Sequence, residues 1–209
     1  MLVGDTAAQM ILGHDSTLPV SVPFMVEITA AVRRGAPNAF IMADMPFGSY
    51  QASSAEAVRN AVRFMTDGGA DVVKLEVSDH FLPLVKKLSA AGVPVVAHVG
   101  SRPQQVRVDG GFHSAARTRE AGRELVSTAV RMVEAGAAML LIEAVPAEVS
   151  AEVIKAVDST LDRPGDVPVI GCGAGPACHG HVVVLHDLLG MSDWQPPFAK
   201  PQADVGHRI

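Results

Sequence analysis

Seven short apolar runs, each four to six residues long, punctuate the chain: MLVG (1–4), AFIMA (39–43), DVVKL (71–75), PVVAHV (94–99), AMLLI (138–142), VPVIG (167–171) and HVVVL (181–185). They are continuously apolar, with no polar alternation, which marks strands covered on both faces. Amphipathic helical patterns fill most of the intervals. Residues 53–67 open with Ser53-x-x-Glu56, a capping-box spacing, carry Val58, Ala61, Val62 and Met65 toward one side, and stop at Gly68-Gly69. Residues 80–91 place Phe81, Leu84, Val85 and Leu88 before Gly92, and residues 118–135 place Leu125, Ala129, Met132 and Val133 before Gly136. Strand and helix in steady alternation predict right-handed βαβ units around a parallel sheet.

An open doubly wound sheet and a closed (β/α)₈ TIM barrel both satisfy that alternation. The strand ends favour the barrel: Asp5, Asp44, Glu76, His98 and Glu143 each fall at, or one or two residues past, the C-terminal end of a different strand. Barrel enzymes collect their chemistry there. No dinucleotide fingerprint follows the first strand. Seven strands in 209 residues fall short of the eight strands and ~250 residues of a typical barrel. Because the chain opens directly in a strand, the remaining strand-helix unit is expected ahead of Met1. Residues 1–209 are read as a single (β/α) barrel domain.

At 48% hydrophobic residues the chain has material for one sizeable core. Its formal net charge of −5, with both signs scattered, argues against a nucleic-acid surface, which needs a clustered basic stripe. The longest apolar stretches, such as AAMLLI at 137–142, fall far short of the ~20 residues that cross a bilayer. Two cysteines, Cys172 and Cys178, are too few for a disulfide framework and agree with a reducing compartment. These features predict a soluble cytoplasmic protein.

Asp5, Asp44 and Glu76 are hard oxygen ligands unaccompanied by thiolates or a histidine cluster, a set suited to Mg²⁺. Ordinary strand-end carboxylates capping the next helix are the alternative. Glu143 follows a strongly apolar run, where a carboxyl group is expected to have a raised pKa and to serve as a general base; a salt-bridged strand-end glutamate is the blander reading. Lys74 precedes Glu76 by two residues, so in a regular strand both face the barrel interior, with an ion pair or an anionic substrate as the partner of the lysine. His98 orients a substrate oxygen or is a satisfied core histidine. Thr6 offers a hydroxyl and a backbone N–H to a substrate carboxylate. Cys172, Cys178, His179 and His181 form C-x₅-C-H-x-H, which lacks the spacing of structural zinc sites. The glycines of GCGAGP (171–176) either present backbone N–H groups to an anion or form a tight turn lining the substrate.

Taken in order, LVGD (2–5), LGHDSTLPV (12–20), AVRRGAPNA (31–39), ADMPFGSYQ (43–51), ADVVKLE (70–76), VPVVAHVG (93–100), LLIEAVPAE (140–148), GAGPACHG (173–180) and VLHDLLG (184–190) closely resemble the ketopantoate hydroxymethyltransferase family. The resemblance covers nearly the whole chain. It implies a (β/α)₈ barrel of the phosphoenolpyruvate mutase and isocitrate lyase type and a homo-oligomer, typically a decamer. It further implies that Asp5 and Asp44 bind Mg²⁺, with Glu76 reaching the metal through water. Lys74 and His98 fall on substrate-contacting positions, and Glu143 on that of the base. The implied reaction moves a one-carbon unit from 5,10-methylenetetrahydrofolate to 3-methyl-2-oxobutanoate, giving 2-dehydropantoate.

Departures from the family pattern surround these positions. Thr6 stands where serine is usual, with AAQ (7–9) in place of a glycine-containing segment. KLEVS replaces KLEGG, so Val77 and Ser78 stand for glycines; AHVGSRPQ (97–104) replaces GHLGLTPQ, and GGFHSAAR (110–117) replaces GGYKVQGR and lacks its lysine. The family's first strand-helix unit and its helical tail beyond PPFAK (196–200) have no counterpart. The altered loops keep open a diverged enzyme doing aldol or retro-aldol chemistry on another 2-oxo acid, and the missing ends a non-catalytic barrel subunit.

Overall fold

The computed structural model describes residues 1–192 and 194–208. Seven strands form one all-parallel sheet: β1 (Leu2–Val3), β2 (Met42–Asp44), β3 (Val72–Glu76), β4 (Val95–Gly100), β5 (Met139–Glu143), β6 (Val169–Cys172) and β7 (Gly180–His181). Their spatial order is their chain order. A doubly wound sheet reverses direction at a switch point, whereas unbroken sequential order with right-handed crossovers keeps every helix on one side. The sheet therefore curls as part of a barrel, with β1 and β7 as its edges.

Around it lie α1 (Ala7–Met10), α2 (Val22–Gly35), α3 (Ser54–Thr66), α4 (Leu82–Ala90), α5 (Val106–Asp109), α6 (Arg119–Glu134), α7 (Ala147–Asp158) and α8 (Leu185–Leu188). The helix starts follow their caps. Ser53, just before α3, accepts from the Glu56 N–H at 3.2 Å, and Thr118, just before α6, accepts from the Ala121 N–H at 3.2 Å. The buried stripe of α3 is Ala57, Ala61 and Phe64, flanked by half-buried Val58 and Met65, while Val62 is 40% exposed. That corrects the expected face. The large apolar residues alone place its centre too far round the helix, because Ala57 closes the contact by being small.

The main core lies between helices and sheet, where Met25, Phe64, Leu88, Met132 and Val153 meet Val73, Leu75, Val95, Ala97, Leu140 and Ile142. Truncating a filler such as Phe64 to alanine costs about 3–5 kcal/mol. A second, smaller cluster lines the concave face: Met42, Val72, Val96 and Leu141, with Leu2, Met139, Cys172 and Val182 packed against them. Two residues further along the same strands, on the same face by the period of two, stand Asp44, Lys74, His98 and Glu143.

The expected seventh strand over 181–185 is shifted and shortened. Pairing to β6 ends with the Val182 N–H donating to Gly171 O at 3.0 Å, and α8 has begun by Leu185. Its partner ends at Cys172, where Gly173 turns to φ 60°, so no ladder continues beside it. No described helix is long and apolar enough to cross a membrane.

Candidate active site

Parallel register brings the strand ends together: Asp44 pairs with Lys74, Glu76 with His98, and Glu143 with Cys172. Asp5, Asp44, Lys74, Glu76 and His98 are all buried, at 1–7% exposure, whereas the Glu143 side chain is 26% exposed. Glu143 is thus the member of the group that meets solvent.

A chain of contacts crosses the concave face from β2 to β5. Lys74 Nζ lies 2.7 Å from Asp44 Oδ1 and 3.3 Å from His98 Nδ1. An ammonium only donates, so His98 Nδ1 accepts and the ring proton sits on Nε2, which faces Glu143 Oε2 at 3.3 Å. This distance is at the long end for a hydrogen bond, and Nε2 has no well-aligned acceptor among the described residues. Burial first, then the neighbouring Lys74 charge, lowers the His98 pKa, so the ring is neutral. Lys74 keeps its proton: burial opposes its charge, but Asp44, Asp5 and Glu76 more than restore it.

Four carboxyl groups thus surround one ammonium and one neutral imidazole. Burial and the nearby Asp44 push Asp5 up to about 7, and burial pushes Glu76 up to about 8 against the pull of Lys74. Glu143 goes the other way. Burial raises its pKa, but the His98 contacts and Lys74 bring it below the ordinary glutamate value. The sequence expectation of a raised Glu143 is therefore corrected: the apolar run of β5 supplies desolvation, yet the cross-strand neighbours, invisible in the linear sequence, outweigh it.

The backbone around Glu143 is tightly held. Its carbonyl accepts from the Ser101 N–H at 2.8 Å, and that of Ala144 accepts from the Ala115 N–H at 2.9 Å. Ala144 adopts φ 48°, an uncommon conformation for a residue with a Cβ. Gly100, at φ 103°, passes so close that a Cβ there would lie 2.3 Å from Glu143 O. Thr6 is the N-cap residue of α1, next to Asp5, and its hydroxyl makes no capping bond.

Two participants escaped the sequence reading, Gln104 and Tyr50. Gln104 N–H donates to both Glu76 oxygens at 3.1 Å, and its side-chain amide donates to Asp5 Oδ2 at 2.9 Å and Met45 O at 3.0 Å. The Tyr50 hydroxyl donates to Gln104 Oε1 at 2.8 Å. Both residues stand in quoted segments, ADMPFGSYQ and AHVGSRPQ. A glutamine in a loop carries no chemistry by type, so only proximity reveals it.

Among the described residues no three His, Cys, Asp or Glu side chains form a preassembled metal cage. Gln104 and Lys74 occupy the donor positions between the carboxylates. The donor set nonetheless fits Mg²⁺, which takes one or two carboxylates and completes its shell with water and substrate oxygens. Asp44 Oδ1 is buried, with Lys74 as ion partner but no aligned hydrogen bond. Asp5 and Asp44 are directly joined, since the Asp5 N–H donates to Asp44 Oδ2 at 3.0 Å.

The Cys/His cluster is put to structural use. His179 Nδ1 accepts from the Val169 N–H at 3.0 Å, and burial pushes the Cys172 thiol up to about 12. The glycines of 171–175 line a recess of about 250 Å³ together with Pro176, His181, Val182, Val183 and Phe198. Val77, standing for a family glycine, packs into the main core, away from the carboxylates.

Fold and site together define an α/β barrel-type protein with a carboxylate-rich centre at the C-terminal ends of its strands. The profile of a family described as ketopantoate hydroxymethyltransferase matches residues 1–209, and the chain belongs to that family. A relative from Desulfotalea psychrophila, named 3-methyl-2-oxobutanoate hydroxymethyltransferase, is 45% identical over 98% of this chain and 71% of its own length. One of the same name from Geobacillus sp. is 44% identical, covering 100% of this chain and 72% of the relative. Among solved structures, the carboxyl transferase domain of Rhizobium etli pyruvate carboxylase superposes with TM-score 0.50 at 15% identity, over 81% of this chain and 27% of that one. That likeness bears on the fold alone.

Proposed function

We propose that the chain catalyses Mg²⁺-dependent transfer of a hydroxymethyl group from 5,10-methylenetetrahydrofolate to 3-methyl-2-oxobutanoate, giving 2-dehydropantoate and tetrahydrofolate with one water consumed. The observation that carries the reading is the contact chain from Asp44 through Lys74 and His98 to Glu143, in a member of a family whose relatives bear that activity's name.

Asp5 and Asp44 would hold the cation, with Glu76 as the third acidic residue of the set. Bound Mg²⁺ supplies a Lewis acid that lowers the cost of charge on the keto oxygen of the substrate. The substrate carboxylate is received by the Thr6 hydroxyl and backbone N–H, and the Lys74 ammonium lends positive charge to the same end. Glu143 takes the C3 proton. A carboxylate with a low pKa is ionised at neutral pH but is a weak base, so the substrate must be made more acidic for transfer to proceed. His98, neutral and with its proton on Nε2, faces the Glu143 carboxylate at 3.3 Å. The C3 carbanion equivalent then forms its bond to the one-carbon unit of the folate while both carbon–nitrogen bonds of that unit break. Water supplies the hydroxyl and the proton for one nitrogen, and the proton taken from C3 goes to the other.

The assembly the resemblance implies is a cytoplasmic homo-oligomer, a decamer. The exposed Met10, Ile11 and Leu12 supply apolar surface that a neighbouring copy would cover. The diverged-enzyme reading loses support at Val77, which turns to the helix layer, and keeps it in the 110–117 loop.

The test is turnover with both substrates. Production of 2-dehydropantoate that requires 5,10-methylenetetrahydrofolate and Mg²⁺ is the expected result. Turnover of a different 2-oxo acid, without folate, would favour the diverged enzyme.

A further inference from the structure

Gln104 joins parts of the site that no strand pairing connects. Asp5 follows β1 and Glu76 ends β3, with β2 between them. Gln104 enters from the 3₁₀ turn Pro103–Gln105, beyond β4, and is itself 5% exposed. Its backbone N–H is shared by the two Glu76 oxygens, and its side-chain amide donates to Asp5 Oδ2 and Met45 O. Met45 directly follows Asp44, so this one residue touches the surroundings of all three acidic positions.

The orientation of that amide is fixed. Its oxygen accepts from the Tyr50 hydroxyl at 2.8 Å and from the Gln51 amide at 3.3 Å. The Tyr50 hydroxyl also reaches Glu76 O, at 3.2 Å. A flipped amide would set its oxygen against the Met45 carbonyl, which can only accept, and against the Asp5 carboxylate, and would turn its NH₂ group toward the Gln51 amide donor. Donors therefore face Asp5 and acceptors face Tyr50, and only one arrangement satisfies both sides.

We propose that Gln104, locked by Tyr50, is a positioning residue that sets the mutual placement of the Asp5 and Glu76 carboxylates for the divalent cation. The proposal rests on the metal reading above. Outer partners that orient ligating carboxylates typically change metal affinity or activity by about 10–100-fold when removed. Gln104→Met keeps the length and packing of the side chain but has no amide, and its backbone N–H still serves Glu76. Tyr50→Phe leaves the amide in place and removes its lock.

Mg²⁺ binding to the whole chain, by isothermal titration calorimetry without substrate, gives a readout independent of turnover. Gln104→Met is expected to weaken Mg²⁺ about 10–100-fold, and Tyr50→Phe by a smaller factor in the same direction. Calorimetric unfolding of each variant accompanies the titration, so that affinity is compared between folded proteins. The KM for 3-methyl-2-oxobutanoate at saturating Mg²⁺ should move less than the Mg²⁺ affinity, whereas a purely structural role would leave affinity unchanged. Wild-type Mg²⁺ affinity in folded Gln104→Met overturns the inference and leaves the proposed reaction standing. If Gln104→Met does not fold, wild-type affinity in Tyr50→Phe overturns it equally. A wild-type chain that turns over its substrates but binds no Mg²⁺ overturns the metal reading and this inference with it, and leaves the transfer reaction in place.

Discussion

The concave face of the sheet has two halves built from the same strands. Toward the strand starts lie Met42, Val72, Val96 and Leu141, fully apolar. One side-chain step further, Asp44, Lys74, His98 and Glu143 form an ionised and hydrogen-bonding set. Backbone geometry cannot distinguish these layers, since both point inward from regular parallel strands. The side chains alone differ, and the difference assigns their work. The lower layer covers the concave face with apolar side chains. The upper layer then sits on a floor of low polarity, where charge is strengthened but costly to hold.

The sharpest way to break that contrast is to make the upper layer apolar at its one cation. Lys74→Met leaves Asp44, Asp5 and Glu76 without their buried counter-ion, and breaking such a pair costs about 3–5 kcal/mol. Urea unfolding should report that loss, along with loss of turnover. Glu143→Gln comes next: losing a general base lowers kcat by about 10²–10⁴-fold. Because the Glu143 side chain is part-exposed, its change should lower the unfolding midpoint less than Lys74→Met does.

Leu141→Ala attacks the lower layer. A cavity there should cost about 2–5 kcal/mol of stability, while kcat measured on the folded fraction stays near wild type. Loss of kcat with unchanged stability would erase the division between the layers.

The smallest effect concerns pH. Asp5 and Glu76 have folded-state pKa values of about 7 and about 8, above their ordinary 3.8 and 4.5. Between those limits the folded state binds more protons than the unfolded chain, so stability falls as pH rises. Without Mg²⁺ the melting temperature should therefore decline between about pH 6.5 and pH 8, above the range in which the lowered pKa of His98 acts in the opposite direction, and added Mg²⁺ should flatten the decline. A melting temperature that rises across this window without metal would contradict the placement of these two carboxyls.

Much of the barrel could be read from the sequence, because buried parallel strands leave continuous apolar runs and their acidic ends stand out against them. The common position of Asp5, Asp44, Glu76 and Glu143 at the strand ends is legible for that reason, and Lys74 and His98 follow from the two-residue period of the same strands. The Val62 face of α3 was misjudged because a small alanine makes the contact. The Glu143 pKa was misjudged because its partners come from β3 and β4, far away in sequence. Gln104 and Tyr50 were missed for a related reason, since their chemistry exists only where loops after β2 and β4 converge. Helices α2 and α7 carried no expectation at all. The first is recognisable afterwards by Ser21, whose hydroxyl accepts from the Phe24 N–H.

The most direct measurement is proton NMR of 3-methyl-2-oxobutanoate in D₂O with the chain and Mg²⁺, and no folate, following the C3 proton signal. The account predicts that the signal disappears by exchange, that the loss depends on Mg²⁺, and that Glu143→Gln abolishes it. A C3 signal that persists with folded protein and bound Mg²⁺, or exchange that survives Glu143→Gln unchanged, would contradict the assignment of the upper layer as an enolising site.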